Sequence, residues 1–258
     1  MFLNSIFNKK EFWDNGYVRV GKVLTRDEVD IIIGEINANE EMQDLRKNTS
    51  LKFRGGKYPS FESIFVMNDV TSHSVFSLAC RKAKILNFIS SAFSDDAYLY
   101  HSKVALKYEN MPGFKYHQDY FYWYNMGCVF PNMATCFVAL DKVTRENGCL
   151  KYIPKSHLCG RLEHVMHDGV SDSEAHPERV EKLIDMFGES EIELEPGEAV
   201  IHHANLLHAS DANSSDKSRL SLLGCYNTKG NNPLPDYDAH PHYEKQARVY
   251  KRIKRPQC

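Results

Sequence analysis

Gly113-Phe114-Lys115-Tyr116-His117-Gln118-Asp119-Tyr120-Phe121-Tyr122-Trp123 decides how this chain is read. Within it a histidine and an aspartate stand two residues apart. Side chains alternate across an extended strand, so an extended run sends His117 and Asp119 to the same face, where one metal ion can meet both. Two ligands do not make a site, and a third has to come from elsewhere. The stretch Ile201-His202-His203-Ala204-Asn205-Leu206-Leu207-His208-Ala209-Ser210 offers three histidines. Two imidazoles and one carboxylate form the facial set that suits non-heme iron(II) and leaves coordination positions open.

Outward from this run the pattern is one of short strands. Val104, Leu106 and Tyr108 alternate with Lys103, Ala105 and Lys107, a period of two. Met133 to Leu140 is nearly all apolar and reads as a buried strand. Arg145-Glu146-Asn147-Gly148 is a turn, and Cys149 to Ile153 a strand after it. Ile192 and Leu194 alternate with glutamates, Pro196-Gly197 turns the chain, and Ala199-Val200-Ile201 returns. Ser218 to Tyr226 is a further strand, with Arg219, Ser221, Leu223 and Cys225 on one face.

The N-terminal third is helical instead. Thr25-Arg26-Asp27-Glu28 has the capping-box pattern, and Val29, Ile32, Ile33 and Ile36 share a face, which predicts a helix from about Arg26 to Asn39. Phe76, Ala79, Ala83, Leu86 and Ile89 predict one amphipathic helix over Ser74 to Phe93, packed on the outside of a sheet. Phe12 to Val20 reads as a turn and a strand, Glu40 to Pro59 as a loop, and Leu158 to His176 as a histidine-rich insertion with little periodicity. Pro177 opens a helix carrying Val180, Leu183, Ile184 and Phe187, and Gly188 stops it. His240 to Arg255 is a basic surface tail. Together these predict one domain over 1–258, with a helical buttress in 1–100. The barrel, over about 100–230, is a mainly β, cupin-like jelly roll, the double-stranded β-helix.

The 258 residues are 42% hydrophobic and 26% charged, enough for a sizeable soluble core. A formal net charge of −2 gives no whole-chain argument for nucleic acid or a membrane surface. No apolar run approaches the roughly 20 residues that cross a bilayer. Met1 to Phe7 is too short and uncharged for a secretory signal. The seven cysteines, odd in number and without a CxxC pair, read as reduced thiols, so a cytoplasmic location is expected.

Arg219 lies one hairpin beyond His208. An inward arginine is costly to bury unless an anion pairs with it, and its planar fork fits a carboxylate in a bidentate manner. A dicarboxylate that chelates the metal at one end and meets Arg219 at the other accounts for both features.

These pieces resemble the phytanoyl-CoA dioxygenase family of iron(II)- and 2-oxoglutarate-dependent oxygenases. The matching segments are Phe12 to Val18 with its following helix, Lys107 ahead of Tyr116-His117-Gln118-Asp119, and Asn147-Gly148-Cys149-Leu150 running into Ile153 to His157. Leu194 to Ala199 and Leu207 to Ser214, with Arg219 beyond, complete them. The resemblance implies that His117, Asp119 and His208 bind Fe(II), with His208 preferred over His202 and His203. It implies that Arg219, assisted by Ser210, holds the distal carboxylate of 2-oxoglutarate. Thr135 is a further candidate for that carboxylate, weighed against a core threonine bonded within its own sheet. Lys107 is another, weighed against a solvated strand lysine. Trp123, Tyr116 and Tyr122 are the substrate candidates, and Trp123 falls four residues after Asp119, where related hydroxylases of small zwitterions also carry tryptophan. The implied activity is hydroxylation of an unactivated C–H bond of a small organic metabolite. 2-Oxoglutarate and O2 are the co-substrates, and succinate and CO2 are released. Asp119 favours this over halogenation, since halogenating relatives lack the carboxylate. An acyl-CoA or carrier-bound acyl substrate, a non-catalytic metal-binding barrel and a zinc hydrolase on the same ligands are the alternatives.

Overall fold

Two antiparallel sheets enclose the interior of the protein. In this computed structural model residues 2–44, 64–67, 70, 73–166, 173–235 and 253 are described. The larger sheet runs, in spatial order, β1 (Tyr17–Lys22), β10 (Glu198–His203), β5 (Ala134–Ala139), β12 (Arg219–Thr228), β3 (Ala97–Lys107) and β2 (Ile64–Met67). The smaller runs β4 (Phe114–His117), β11 (His208–Ser210), β6 (Leu150–Tyr152) and β9 (Ser190–Ile192). Neighbours within each sheet are distant in sequence, and side chains of both sheets line one cavity. This is the jelly roll, the double-stranded β-helix that the strand pattern predicts.

The central strands are buried on both faces, which is why their sequences are so apolar. Val104 and Leu106 of β3 face outward into a core shared with Ile85, Leu86 and Ile89 of the helical layer, while His101, Lys103 and Ala105 face the cavity. Helix α2 (Arg26–Ala38) starts where expected: Thr25 Oγ1 accepts from the Glu28 N–H, and the Glu28 carboxylate accepts from the Thr25 N–H.

Two helical readings need correction. Where the sequence predicts a turn before β1, the chain forms α1 (Phe2–Asn15). Phe12 is wholly buried, and its ring meets Trp13, Phe88 and Phe93 edge-on at 5.4, 5.7 and 5.9 Å. Distant aromatic packing stabilises a helix that local propensity does not announce. The single helix predicted over Ser74 to Phe93 is two, α3 (Val75–Cys80) and α4 (Ala83–Phe93). Lys82 leaves the helical region (φ −52°, ψ 132°), and its Nζ reaches Glu28 Oε1 at 2.7 Å.

The insertion after β6 is more regular than its composition suggests. It holds a 3₁₀ turn (Ser156–Cys159) and a hairpin of β7 (His164–Met166) with β8 (Ser173–Ala175). Helix α6 (Pro177–Phe187) follows, with its proline in the first turn and Gly188 at its end. Residues 40–44 of the expected loop are helical. Residues 45–59, His167 and, apart from Ile253, the basic tail lie outside the described residues. Six cysteines, Cys80, Cys128, Cys136, Cys149, Cys159 and Cys225, are free thiols, and among the described residues no helix is long and apolar enough to cross a membrane.

Glu28 gathers three parts of the helical layer, accepting from Lys82 Nζ, from the Thr25 N–H and from the Ile253 N–H. Burial opposes its ionisation, but these hydrogen bonds outweigh burial and hold the carboxyl below its usual range. Its contribution is therefore present above the unfolded-state carboxylate pKa and is lost as pH falls through the lower folded value. Glu28→Ala is expected to cost about 2–3 kcal/mol in urea unfolding at neutral pH, and the gap to the unmodified protein should close below about pH 4. A gap that persists in acid would contradict this account.

Candidate metal centre

His117 ends β4, and Asp119 opens α5 (Asp119–Asn125), the short helix that takes up the aromatic run. Gln118 between them stays extended (φ −114°, ψ 129°), so both side chains leave the backbone on one side. His208 begins β11 and pairs directly with His117. One ligand atom from each of His117, Asp119 and His208 lies within 4.8 Å of the others, the one such cluster among the described residues. The two imidazole rings are 4.2 Å apart, and His208 Nε2 is 4.0 Å from Asp119 Oδ1.

Hydrogen bonding decides which atoms face the centre. A carbonyl oxygen only accepts, so His117 Nδ1–H donates to Lys115 O at 2.8 Å and His208 Nδ1–H to Leu206 O at 2.9 Å. That leaves Nε2 of each ring as the lone-pair nitrogen. Asp119 Oδ2 accepts from Thr135 Oγ1 at 2.6 Å and from His202 Nε2 at 3.3 Å, and Tyr152 O–H donates to His202 Nδ1 at 2.8 Å. Oδ2 is thus engaged and Oδ1 faces His208. Burial works against the Asp119 charge, but the His202 hydrogen bond, then the neighbouring His208 and His202 and, least, Lys103, hold the carboxyl well below its usual range. Burial, then the neighbouring His117 and His202, push His208 well below its usual range, so it is neutral at neutral pH. A neutral imidazole at His208 and an ionised carboxylate at Asp119 are the protonation states a cation requires.

These side chains border a cavity of about 220 Å³. Along β12 its inward row runs Cys225, Leu223, Arg219, from the rung of Thr135 to the rung of Lys107. Arg219 is only 2% exposed. Its Nη1 donates to Gly148 O at 2.9 Å and its guanidinium lies 5.5 Å from the Phe137 ring, but its buried Nε has no acceptor among the described residues. Burial pushes it down to about 10, so it stays charged at neutral pH with no carboxylate beside it among the described residues. A buried charge without a counter-ion costs several kcal/mol, so this end of the cavity is short of one anion. Ser210 lines the same end. The backbone there is crowded: a Cβ on Gly113 would collide with Ser210 O, and one on Gly148 (φ +78°) would sit 2.8 Å from Lys107 Nζ.

Three sequence readings change. Thr135, a candidate for a distal carboxylate, donates to Asp119 instead; its β12 partner Cys225 is six residues from Arg219, roughly 20 Å of strand. Lys107 is not a solvated lysine but 1% exposed, and it does not line the cavity. Its Nζ donates to Ser210 Oγ at 2.9 Å and to Asp211 O, and burial together with the Arg219 charge lowers its pKa well below the usual value. Tyr116 turns away from the cavity. A register shift sets His117 opposite His208 but Phe114 opposite Ser210, so β4 carries an extra residue. Phe114 and His117 both reach the cavity, while Tyr116 donates to Glu189 and packs beside Ile153 and Leu162.

Trp123 and Tyr122 do line the cavity. Trp123 Nε1–H donates to His101 Nε2 at 3.2 Å, and Ser173 Oγ donates to Tyr122 OH at 2.9 Å. His203 packs on Trp13 and Phe93, and His157 Nε2–H donates to Trp13 O at 3.0 Å, both away from the metal cluster. His164 accepts from the Gln118 N–H at 3.0 Å and stacks on Phe121. Sequence reasoning did not single out His101, Lys103, Tyr152 or the contact of His202 with Asp119. The shared parity of His101, Lys103 and Ala105 was available, but only the pairing of β3 with β12 shows which face is inward.

Thr135→Val removes one of the two donors to Asp119 Oδ2 at almost constant volume. Manganese(II) affinity by calorimetry is expected to fall ten- to a hundredfold, with little change in melting temperature. Unchanged affinity would show that the carboxylate does not depend on this bond.

The phytanoyl-CoA dioxygenase family model matches residues 12–221. L-proline trans-4-hydroxylase of Streptomyces griseoviridis is 30% identical over 159 residues, 56% of this chain and 58% of that protein. Methylphosphonate hydroxylase of Gimesia maris is 29% identical over 149 residues, 57% of this chain and 51% of that protein. The chain thus spans little more than half the length of these curated relatives. The crystal structure of EctD from S. alaskensis with 2-oxoglutarate and 5-hydroxyectoine has the same fold, with a TM-score of 0.70 at 18% identity over 93% of this chain and 80% of that one. The matched region takes in the His117–Asp119 pair, His208 and Arg219, and the chain belongs to the phytanoyl-CoA dioxygenase family.

Proposed function

We propose that this chain is a single-domain iron(II)- and 2-oxoglutarate-dependent oxygenase that hydroxylates an unactivated C–H bond of a small organic metabolite and releases succinate and CO2. The observation that carries this reading is the buried Arg219 guanidinium, with no carboxylate beside it among the described residues, in the cavity that also holds two imidazoles and a carboxylate. A zinc hydrolase or a scaffolding barrel needs the metal ligands alone. Only a co-substrate with a second anionic end also needs the arginine.

His117 Nε2, His208 Nε2 and Asp119 Oδ1 would hold the iron, and the donor set fits it: two nitrogens, one oxygen and open coordination positions. When bound, iron supplies oxygen activation coupled to oxidative decarboxylation of 2-oxoglutarate. Arg219 would take the distal carboxylate with its fork. Ser210 Oγ already accepts from Lys107 Nζ, so its own O–H is left to donate to that carboxylate. Thr135 and His202 keep Oδ2 of Asp119 engaged, which orients the other oxygen toward the metal. Trp123, Tyr122 and Met126 wall the cavity and would keep bulk water from the reacting centre. The relatives named for proline and methylphosphonate support a small polar substrate over an acyl-CoA. Free thiols support action in the cytoplasm.

Purified protein supplied with ferrous iron, 2-oxoglutarate and O2 is expected to release succinate. Arg219→Ala should raise KM for 2-oxoglutarate by about a hundredfold while manganese(II) binding stays within about twofold. Metal-dependent hydrolysis untouched by Arg219→Ala, with no succinate formed, would overturn the proposal.

A further inference from the structure

The inward row of β3 carries a second cation that the co-substrate leaves unused. Lys103 lines the cavity beside His101 and Ala105 and pairs across the sheet with Leu223 of β12 and Val66 of β2. His101, two residues back, pairs with Cys225, which in turn faces Thr135, the donor to Asp119. Lys103 therefore stands near the rung of the metal ligands, about four residues of strand, roughly 13 Å, from the Arg219 rung at Lys107. It is partly buried, and no ion pair or hydrogen bond engages its ammonium among the described residues.

Charge balance turns this into a statement about substrate. A divalent metal with Asp119, and a doubly charged co-substrate with Arg219, together sum to zero. Among the described residues Lys103 leaves the cavity lining with one positive charge in excess, and an uncompensated, partly buried charge is costly. We infer that Lys103 recognises an anionic group on the substrate, a carboxylate or a phosphonate, and that the substrate is a small acid. Its anion sits at Lys103 and its apolar part lies against Trp123 and Tyr122. This rests on the reading that Arg219 serves 2-oxoglutarate.

The test has two arms. Calorimetry first measures 2-oxoglutarate binding to the manganese-loaded protein and to Lys103→Gln. Succinate release is then followed with a panel of small carboxylates and phosphonates, each paired with its neutral amide or ester. Lys103→Gln is expected to leave 2-oxoglutarate affinity within about twofold, to raise KM for the stimulating acid at least about tenfold, and to change stimulated kcat less than about threefold. Lys103→Arg should recover part of the loss. Which acids stimulate separates carboxylate from phosphonate. A drop in 2-oxoglutarate affinity in Lys103→Gln would assign the lysine to the co-substrate and overturn the inference. Equal stimulation by the neutral partners, or no acid stimulating a protein that turns over 2-oxoglutarate, would do the same. An unmodified protein that binds no 2-oxoglutarate would overturn the underlying reading and this inference with it.

Discussion

The Asp119 carboxylate is the point the rest of the site depends on. It is an ionised group in a buried place, and such a charge persists only if it is compensated on every side. Compensation comes from both sheets. Thr135 of β5 and His202 of β10 donate to one oxygen, Tyr152 of β6 stands behind His202, and the other oxygen faces His208 of β11. The strand order makes this possible. His202 and Thr135 are direct partners across the β10–β5 ladder, and His208 sits between His117 on one side and Tyr152 on the other. Without the carboxylate, two donors and two lone-pair imidazoles would converge on nothing.

At the far end of β12 the charge is reversed. Arg219 and Lys107 are neighbours across the β12–β3 ladder, and burial together with the Arg219 charge works against a charge on Lys107. Lys107 is relieved by Ser210 Oγ and the Asp211 carbonyl. Among the described residues Arg219 has a single carbonyl partner, Gly148 O. The cavity is thus polarised, with a carboxylate awaiting a cation at one pole and a guanidinium awaiting an anion at the other. A ligand that is anionic at both ends, chelating at one and clamped at the other, satisfies both poles at once.

How much of this was legible in the sequence depends on how local the cause is. Helix α2 announces itself through Thr25 and Glu28, and α6 through Pro177 and Gly188, all within one or two turns of the ends they set. The jelly roll follows from strand period and turn residues. Helix α1 does not announce itself, because the rings that hold Phe12 include Phe88 and Phe93, far along the chain. The break between α3 and α4 is likewise set at a distance, by Glu28 reaching Lys82. In the site, His117 and Asp119 can be read from spacing, and His208 with Arg219 from their order and the family resemblance. The partner of Thr135 and the outward turn of Tyr116 cannot: one is a cross-strand relation, the other follows from an extra residue in β4. Lys103 was hidden for the same reason, since period two gives two faces without saying which is inside.

X-ray absorption at the iron edge of the iron-loaded chain tests the convergence of these side chains most directly. The account predicts two imidazole nitrogens with the remaining ligands oxygen and no sulfur. A third imidazole, as His202 would supply, or a sulfur ligand, as Cys225 would, contradicts it.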